Sequence, residues 1–556
     1  MIQRLLFENK TSVHILFLLI VCYFAFFYAN SSFFVNIMEA RNFVTAREMI
    51  EKGNWLIPTM NGELRLAKPP LPTWITALFG SWFGIENVSM LRFPAAIISS
   101  LMVLLMYFFT ISLNKNKIAA LCNSLVLATS FYIVYMGRTG TWDIYCHSFM
   151  LGAILFFHKA WKTENKNRGL FIVAGILLGL SFLSKGPVAF FALLIPFLVA
   201  YAWVYDGKVI LQKWQPLLLA IGIFIVISFW WPVFISFTHA EEAAAIAKLE
   251  SGSWMNRHVR PFYYYWNFPI QSGIWTLVIF SALLFPYAFK RFEAKKEYKF
   301  ALIWTLTSVV LLSLIPEKKD RYLLPVLIPS ALLAGQLLQH LFQVFKNKTA
   351  NKQDHIIFGA NLWLIAIIAL VMPVVVFIFF YRDNQISLTA FILFSLLSEI
   401  VFLLLLKAWK NRNVLNMLIG MVSLMLLTEL FVIPNIDDLL NKNPDFRNIS
   451  EVRHKPKLNS LNYYSIGEYG FRIELVYEVG KKVKIWNPKT SPEFPEKGSF
   501  VVFSTENPNE LFSEFQLQNM EIEIIEHYNY NRHRKGKRRN KEHFQKYVSI
   551  IYPNQR

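Results

Sequence analysis

The chain has 556 residues, of which 55% are apolar, 16% aromatic and only 17% charged, with a formal net charge of +20. Fifty-one Phe and 16 Trp suit a protein dissolved in a bilayer and exclude a water-soluble enzyme of ordinary composition. Its three cysteines, Cys22, Cys122 and Cys146, all fall in or beside apolar runs, which excludes a disulfide scaffold and a cysteine-based metal site.

A spanning helix needs about 20 mostly apolar residues. About thirteen such stretches follow one another: 13–30, 91–113, 118–136, 144–160, 169–184, 188–205, 215–237, 268–289, 300–315, 322–343, 356–381, 387–406 and 413–434. No small-residue cleavage site follows the first, so it is expected to be a retained helix and not a removed signal peptide. With the N-terminus placed in the cytoplasm, alternate connections are short and basic. They carry Arg4 and Lys10, Lys115 and Lys117, Lys159, Lys162, Lys166 and Arg168, then Lys208 and Lys213. Further on come Lys290, Arg291, Lys295, Lys296 and Lys299, then Lys346, Lys348 and Lys352, then Lys407, Lys410 and Arg412. Lys and Arg in short loops mark the cytoplasmic side, and thirteen crossings then leave the C-terminal tail outside.

The expected architecture is a multi-spanning α-helical membrane domain over 1–434 and a small soluble α/β domain over 435–556. The protein is expected in the cytoplasmic (inner) membrane, with its tail on the periplasmic side. Most of the 56 basic residues belong to the inside loops or to the tail. The excess charge therefore reads as topology and solvation, and no nucleic-acid partner is expected. Within the tail, 472–479, 481–487, 499–504, 520–528 and 547–552 read as β-type segments, and 441–462 and 508–518 as helical. The run RHRKGKRRNK at 532–541 is either a solvated loop or a contact for anionic lipid headgroups.

The connections assigned to the outside hold the unusual chemistry. The first, over 31–90, includes Glu39, Arg41, Arg47, Glu48, Arg65 and Lys68 beside Trp55, Pro58, Pro69 and Pro70. The next contributes Arg138 and, where the chain re-enters, Asp143. A tight turn over Ser184–Pro187 holds Lys185. The connection near 238–267 holds Glu250, Arg257, His258 and Arg260, and IPEKKDRYLLP holds Lys318, Lys319, Asp320, Arg321 and Tyr322. Ionisable groups at membrane depth are costly and usually functional. A carboxylate can take a proton from an attacking hydroxyl or amine, and cations can stabilise charge on a departing phosphate. That combination suits glycosyl transfer from a lipid phosphate outside the membrane. The alternative is a flippase or transporter of a lipid-linked sugar, which would favour charges near the midplane and repeated, broken helices; no internal repeat is visible.

Several of these motifs, taken in order, resemble a known family. They are Met38-Glu39 with Arg41, Arg47-Glu48-Met49, Gly53-Asn54-Trp55 with Pro58, and Lys68-Pro69-Pro70-Leu71 with Trp74. Arg92, Asp143, Leu183 to Pro187 and Lys319 to Pro325 continue the series. Together they resemble membrane glycosyltransferases of the GT-C type, the aminoarabinose transferases and protein mannosyltransferases. The resemblance implies a polyprenyl (undecaprenyl) phosphate sugar donor and a lipid, glycan or protein acceptor. It implies Glu39 or Asp143 as the catalytic carboxylate, with Arg41, Lys68, Arg138, Lys185, Lys318, Lys319, Arg321 and Tyr322 around the donor. Met38 stands where the family usually has Asp, and Ala67 where the aminoarabinose branch often has Glu, a metal contact. Metal dependence therefore stays open, with His258 the weak candidate and no cofactor assigned.

Overall fold

The computed structural model describes residues 10–165, 167–205, 207–467, 470–491 and 493–554. Arg4 and Lys166, counted above among the inside cations, lie outside these residues. Among the described residues, eight helices are long and apolar enough to cross a membrane, or ten if each of two bent pairs is one span. The shorter apolar helices Thr11–Phe27 and Phe190–Val204, together with Trp142–Lys162, complete the correspondence with the thirteen stretches.

The bends have local causes. Lys117–Ala128 and Phe131–Gly137 meet at 66°, where Thr129 and Ser130 donate their hydroxyls back to the carbonyls of Leu125 and Val126, each at 2.6 Å. Such back-bonding competes with the helical ladder and bends it. Phe262–Ala282 and Phe285–Arg291 meet at 68°, and the first turn of the second holds Pro286, which supplies no amide to continue the first.

The chain divides into two compact units. One comprises Met1–Ser31, Leu66–Ile75 and Val88–Pro434, and the other Ser32–Arg65, Thr76–Asn87 and Asn435–Arg556. In the first, Trp142–Lys162 (α1) is buried along nearly its whole length. It packs against Arg168–Lys185 (α2) and against Val88–Asn114. Its polar residues Asp143, His147, Ser148 and His158 are buried in the bundle interior, so the helix is a core element despite its modest hydropathy.

The second unit is built on a five-stranded sheet of Tyr463–Ser465 (β1), Val483–Ile485 (β2), Phe500–Ser504 (β3), Met520–Asn529 (β4) and Gln545–Pro553 (β5). The strand order is β2-β1-β3-β5-β4, with β1 parallel to both β2 and β3 and the remaining pairs antiparallel. Tyr464, Trp486, Phe500, Val502, Phe512 and Ile551 form a core on this sheet. The expectation of a β-type segment over 472–479 is corrected: Ile473–Val479 is a helix (α3), closed by Gly480 in the left-handed region at φ 75°. A short apolar run does not reveal its period, whereas parallel pairing of β1 and β2 requires a crossover, which this helix supplies.

Residues 32–65 and 76–87 of the connection over 31–90 belong to the same unit. Helix Ile37–Lys52 packs on α3, with the Phe43 and Tyr477 rings 5.6 Å apart and Arg47 Nη1 donating to the Val476 carbonyl at 3.3 Å. Glu48 accepts from the Gly62 amide at 3.0 Å, the Lys52 ammonium at 3.0 Å and the Thr59 hydroxyl at 2.5 Å. It thereby staples the small hairpin Thr59–Leu64 to the helix. The Arg47-Glu48 pair is thus accounted for by local architecture.

Candidate functional site

Asp143 sits in the first turn of α1, where a carboxylate complements the positive end of the helix. Lys185 is the last residue of α2, and Gly186 ends that helix at φ 71° and ψ −149°, a region that suits glycine alone. These two helix ends bring the Lys185 ammonium onto Asp143 Oδ1 as an ion pair, with side chains only 6% and 2% exposed.

The loop 315–323 closes over this pair. Lys185 Nζ lies 5.3 Å from the centre of the Tyr322 ring, and Lys319 and Arg321 each lie 5.6 Å from it. Three cations therefore surround one aromatic ring. Glu317 pairs with Lys319 and accepts from the Tyr322 hydroxyl at 3.3 Å. Burial pushes the Lys319 ammonium down, Glu317 draws it back up, and Arg321 adds to the downward push. Among the described residues, Arg321 Nε is buried and has no hydrogen-bond partner. Two carboxylates against three cations leave the cluster with a surplus positive charge, suited to an incoming anion.

The loop is itself fixed by polar ties. Lys318 donates to the carbonyls of Ile315 at 2.6 Å and Arg260 at 3.2 Å, so its ammonium is occupied by backbone. The Tyr265 hydroxyl accepts from the Lys319 amide at 2.9 Å and lies 3.1 Å from the Lys319 carbonyl. Tyr264 donates to Asp320 at 2.7 Å.

The other expected residues have partners of their own. Arg138 is fully buried, and its guanidinium donates to the carbonyls of Phe24 (2.6 Å), Ala25 (2.7 Å) and Tyr28 (2.7 Å). These carbonyls belong to or follow the π-helical turn Tyr23–Phe27, which breaks the regular ladder of the first span. Lys68 pairs with Glu250 at 2.9 Å, both partly exposed. Glu39 is fully buried at the third position of its helix, where it accepts from the Asn36 amide at 3.2 Å and side chain at 2.7 Å. Asn36 returns the bond in a capping box. Arg41 is half-buried two residues further on. His258 is exposed, and among the described residues no group of three or more His, Cys, Asp or Glu is placed to hold a metal ion.

Two participants were not singled out from sequence. Glu317 stands in the same IPEKKDRYLLP segment as Lys318, Lys319, Asp320, Arg321 and Tyr322, and its pairing with Lys319 is its signal. His147 lies one turn beyond Asp143, fully enclosed, with Nδ1 unpartnered among the described residues; only its spacing of four from Asp143 could have signalled it.

A multi-pass helical bundle with a buried ion pair and a cation-ringed tyrosine, in one chain with a mixed α/β unit, defines a polytopic membrane protein. A family model described as dolichyl-phosphate-mannose-protein mannosyltransferase matches residues 67–231. The chain is 25% identical over 350 residues to an undecaprenyl phosphate-alpha-4-amino-4-deoxy-L-arabinose arabinosyl transferase of Enterobacter sp. (strain 638), covering 60% of each protein. It is 27% identical over 314 residues to a protein of the same description from Wigglesworthia glossinidia brevipalpis, covering 54% of each. The match thus spans no more than about 60% of these relatives' length. The crystal structure of ArnT from Cupriavidus metallidurans bound to undecaprenyl phosphate superposes with a TM-score of 0.70 at 16% identity, covering 97% of this chain and 98% of that one. The resemblance to the GT-C membrane glycosyltransferases is borne out, and the fold of this chain is theirs.

Proposed function

We propose that this protein is a glycosyltransferase that moves a sugar from a polyprenyl (undecaprenyl) phosphate carrier to a lipid, glycan or protein acceptor. The reaction takes place at the outer face of the cytoplasmic membrane, with the N-terminus inside and residues 435–556 outside. The observation that carries this reading is the Tyr322 ring surrounded by Lys185, Lys319 and Arg321, with Asp143 against Lys185. The similarity to undecaprenyl phosphate-alpha-4-amino-4-deoxy-L-arabinose arabinosyl transferases and to ArnT bound to undecaprenyl phosphate supports the choice of carrier.

In this mechanism the acceptor hydroxyl or amine attacks the anomeric carbon. The bond from that carbon to the phosphate oxygen breaks, and the phosphate leaves with the electron pair. Asp143 takes the proton of the nucleophile, and the developing phosphate charge falls on the cations, Arg321 foremost because its Nε is uncommitted. Asp143 is preferred to Glu39 as the base because it lies against Lys185 in the cation cluster that receives the leaving phosphate, whereas Glu39 caps its own helix. Glu39 and Arg41 then shape the external loop, and Lys68 is a secondary contact for the donor, released from Glu250.

The test is reconstitution in proteoliposomes with undecaprenyl-phosphate-linked sugars and extracted envelope lipids. Acceptor-dependent release of undecaprenyl phosphate, lost in Asp143→Asn, is the expected result. Donor that crosses the bilayer without product would instead identify a flippase.

A further inference from the structure

The sheet of the second unit holds a feature that glycosyl transfer does not use. Residues 546, 548 and 550 of β5 share one face of the strand. Val548 and Ile550 are core aliphatics, and Lys546 beside them is only 2% exposed. The Lys546 ammonium donates to Thr505 Oγ1 at 3.0 Å and lies 5.8 Å from the Phe471 ring. Among the described residues no carboxylate pairs with it, and burial pushes it down to about 8. A buried ammonium with donors left over is expensive unless a counter-charge arrives.

Lys546 lines a cavity of about 700 Å³, within the range of roughly 300–1,000 Å³ typical of small-molecule sites. Its position in the topology is informative. Ile466 and Gly467 follow β1, Asn487 follows β2 and Thr505 follows β3, so the carboxyl ends of all three parallel strands contribute to its wall. The chain leaves β1 through α3 to β2 on one side, then returns to β3 on the other. This edge is therefore the switch point at which open α/β sheets bind ligands. The basic run over 532–541 ends here, with Asn540 and Lys541 on the rim beside His543. The carboxylates that also line the cavity belong to Glu506 and Glu542, both exposed.

We propose that this cavity is a binding site for a phosphate group, carried by a small molecule or a lipid headgroup, with Lys546 and Thr505 as its anchoring contacts. An ammonium, a hydroxyl, an imidazole and an amide around one anion match the several acceptor oxygens of a phosphate better than the two of a carboxylate. The proposal is independent of the reaction assigned to the membrane unit.

Hydrogen-exchange mass spectrometry on the full-length protein in phosphatidylcholine nanodiscs tests it. Millimolar glycerol 3-phosphate, compared with chloride at equal ionic strength, should slow exchange about threefold or more in peptides spanning 499–507 and 541–549. A second arm supplies the phosphate as phosphatidic acid in the nanodisc. Protection in the first arm alone identifies a soluble ligand, and in the second alone a headgroup. The effect should persist in Arg321→Ala, which separates it from the membrane site, and vanish in Lys546→Met, whose apolar side chain suits the buried position. If Lys546→Met loses ligand-free protection in β4, Thr505→Val replaces it. Absence of protection in the unmodified protein in both arms, or equal protection in the folded variant, would overturn the proposal. So would loss of the effect only on neutralising Arg538 and Arg539, which would mark simple surface attraction to lipid.

Discussion

Replacing Asp143 by Asn strips the counter-charge from a lysine whose side chain is 6% exposed. Breaking a buried ion pair from one side costs about 3–5 kcal/mol, because the remaining charge is left uncompensated. The two single substitutions should differ. Asp143→Asn leaves Lys185 close to the further cation Arg321, whereas Lys185→Met leaves Asp143 with Arg321 as a second partner. The first should therefore fall near the top of that range and the second near the bottom. The double variant Asp143→Asn/Lys185→Met removes both charges and should recover most of the lost stability, with a coupling on the order of 3 kcal/mol in the cycle. Turnover behaves differently: Asp143→Asn and the double variant should both fall by about 10²-fold or more, since neither holds a group that accepts the proton. Unfolding midpoints in detergent and initial rates of undecaprenyl phosphate release measure the two quantities separately. A double variant that turns over near the unmodified rate, or that is no more stable than Asp143→Asn, would refute the reasoning.

Arg321→Ala should raise the KM for donor about ten- to a hundredfold, as expected for losing a charge-assisted contact. Arg321→Lys should recover only part of this because a point charge replaces a fork, and Lys295→Ala should leave donor kinetics unchanged. Arg138→Met should reduce the yield of folded protein, since three backbone carbonyls lose their donor, while the KM of whatever folds stays the same. Lys546 is lowered in the folded chain from 10.5 to about 8, so its protonated form is penalised there by about 3 kcal/mol. The penalty is complete below pH 8 and fades toward pH 10.5. Resistance of the C-terminal unit to proteolysis should therefore rise across that window, and Lys546→Met should flatten the rise. Reporter fusions should show periplasmic exposure after residues near 60, 250, 318 and 480 and none near 164, 295 and 410; a periplasmic signal at 295 would reverse the orientation.

The spans were legible because about 20 apolar residues cannot be hidden in a sequence, and even the buried α1 kept enough of them between its polar positions. The Asp143, Lys185 and Tyr322 neighbourhood was legible only as separate motifs, because their meeting depends on where α1, α2 and loop 315–323 end. Sequence could not show that Arg138 would be absorbed by carbonyls of a π-turn, since that turn leaves no clear mark in Tyr23–Phe27. Nor could it show that Arg47 and Glu48 would tie helix Ile37–Lys52 to α3 and to a hairpin, because the Val476 contact joins positions more than four hundred residues apart. The α3 error has the same origin: seven residues of mixed aliphatic and charged character suit either period, and the parallel sheet decided it.

The proposed reaction consumes a polyprenyl-phosphate sugar. Mass spectrometry of envelope lipids and glycans tests it most directly, comparing cells that carry the unmodified protein with cells carrying Asp143→Asn at equal abundance. The variant strain is expected to accumulate a polyprenyl-phosphate-linked sugar and to lose one glycosylated lipid, glycan or protein that the unmodified protein produces. Identical profiles in the two strains, under conditions where the protein is expressed and inserted, would contradict it.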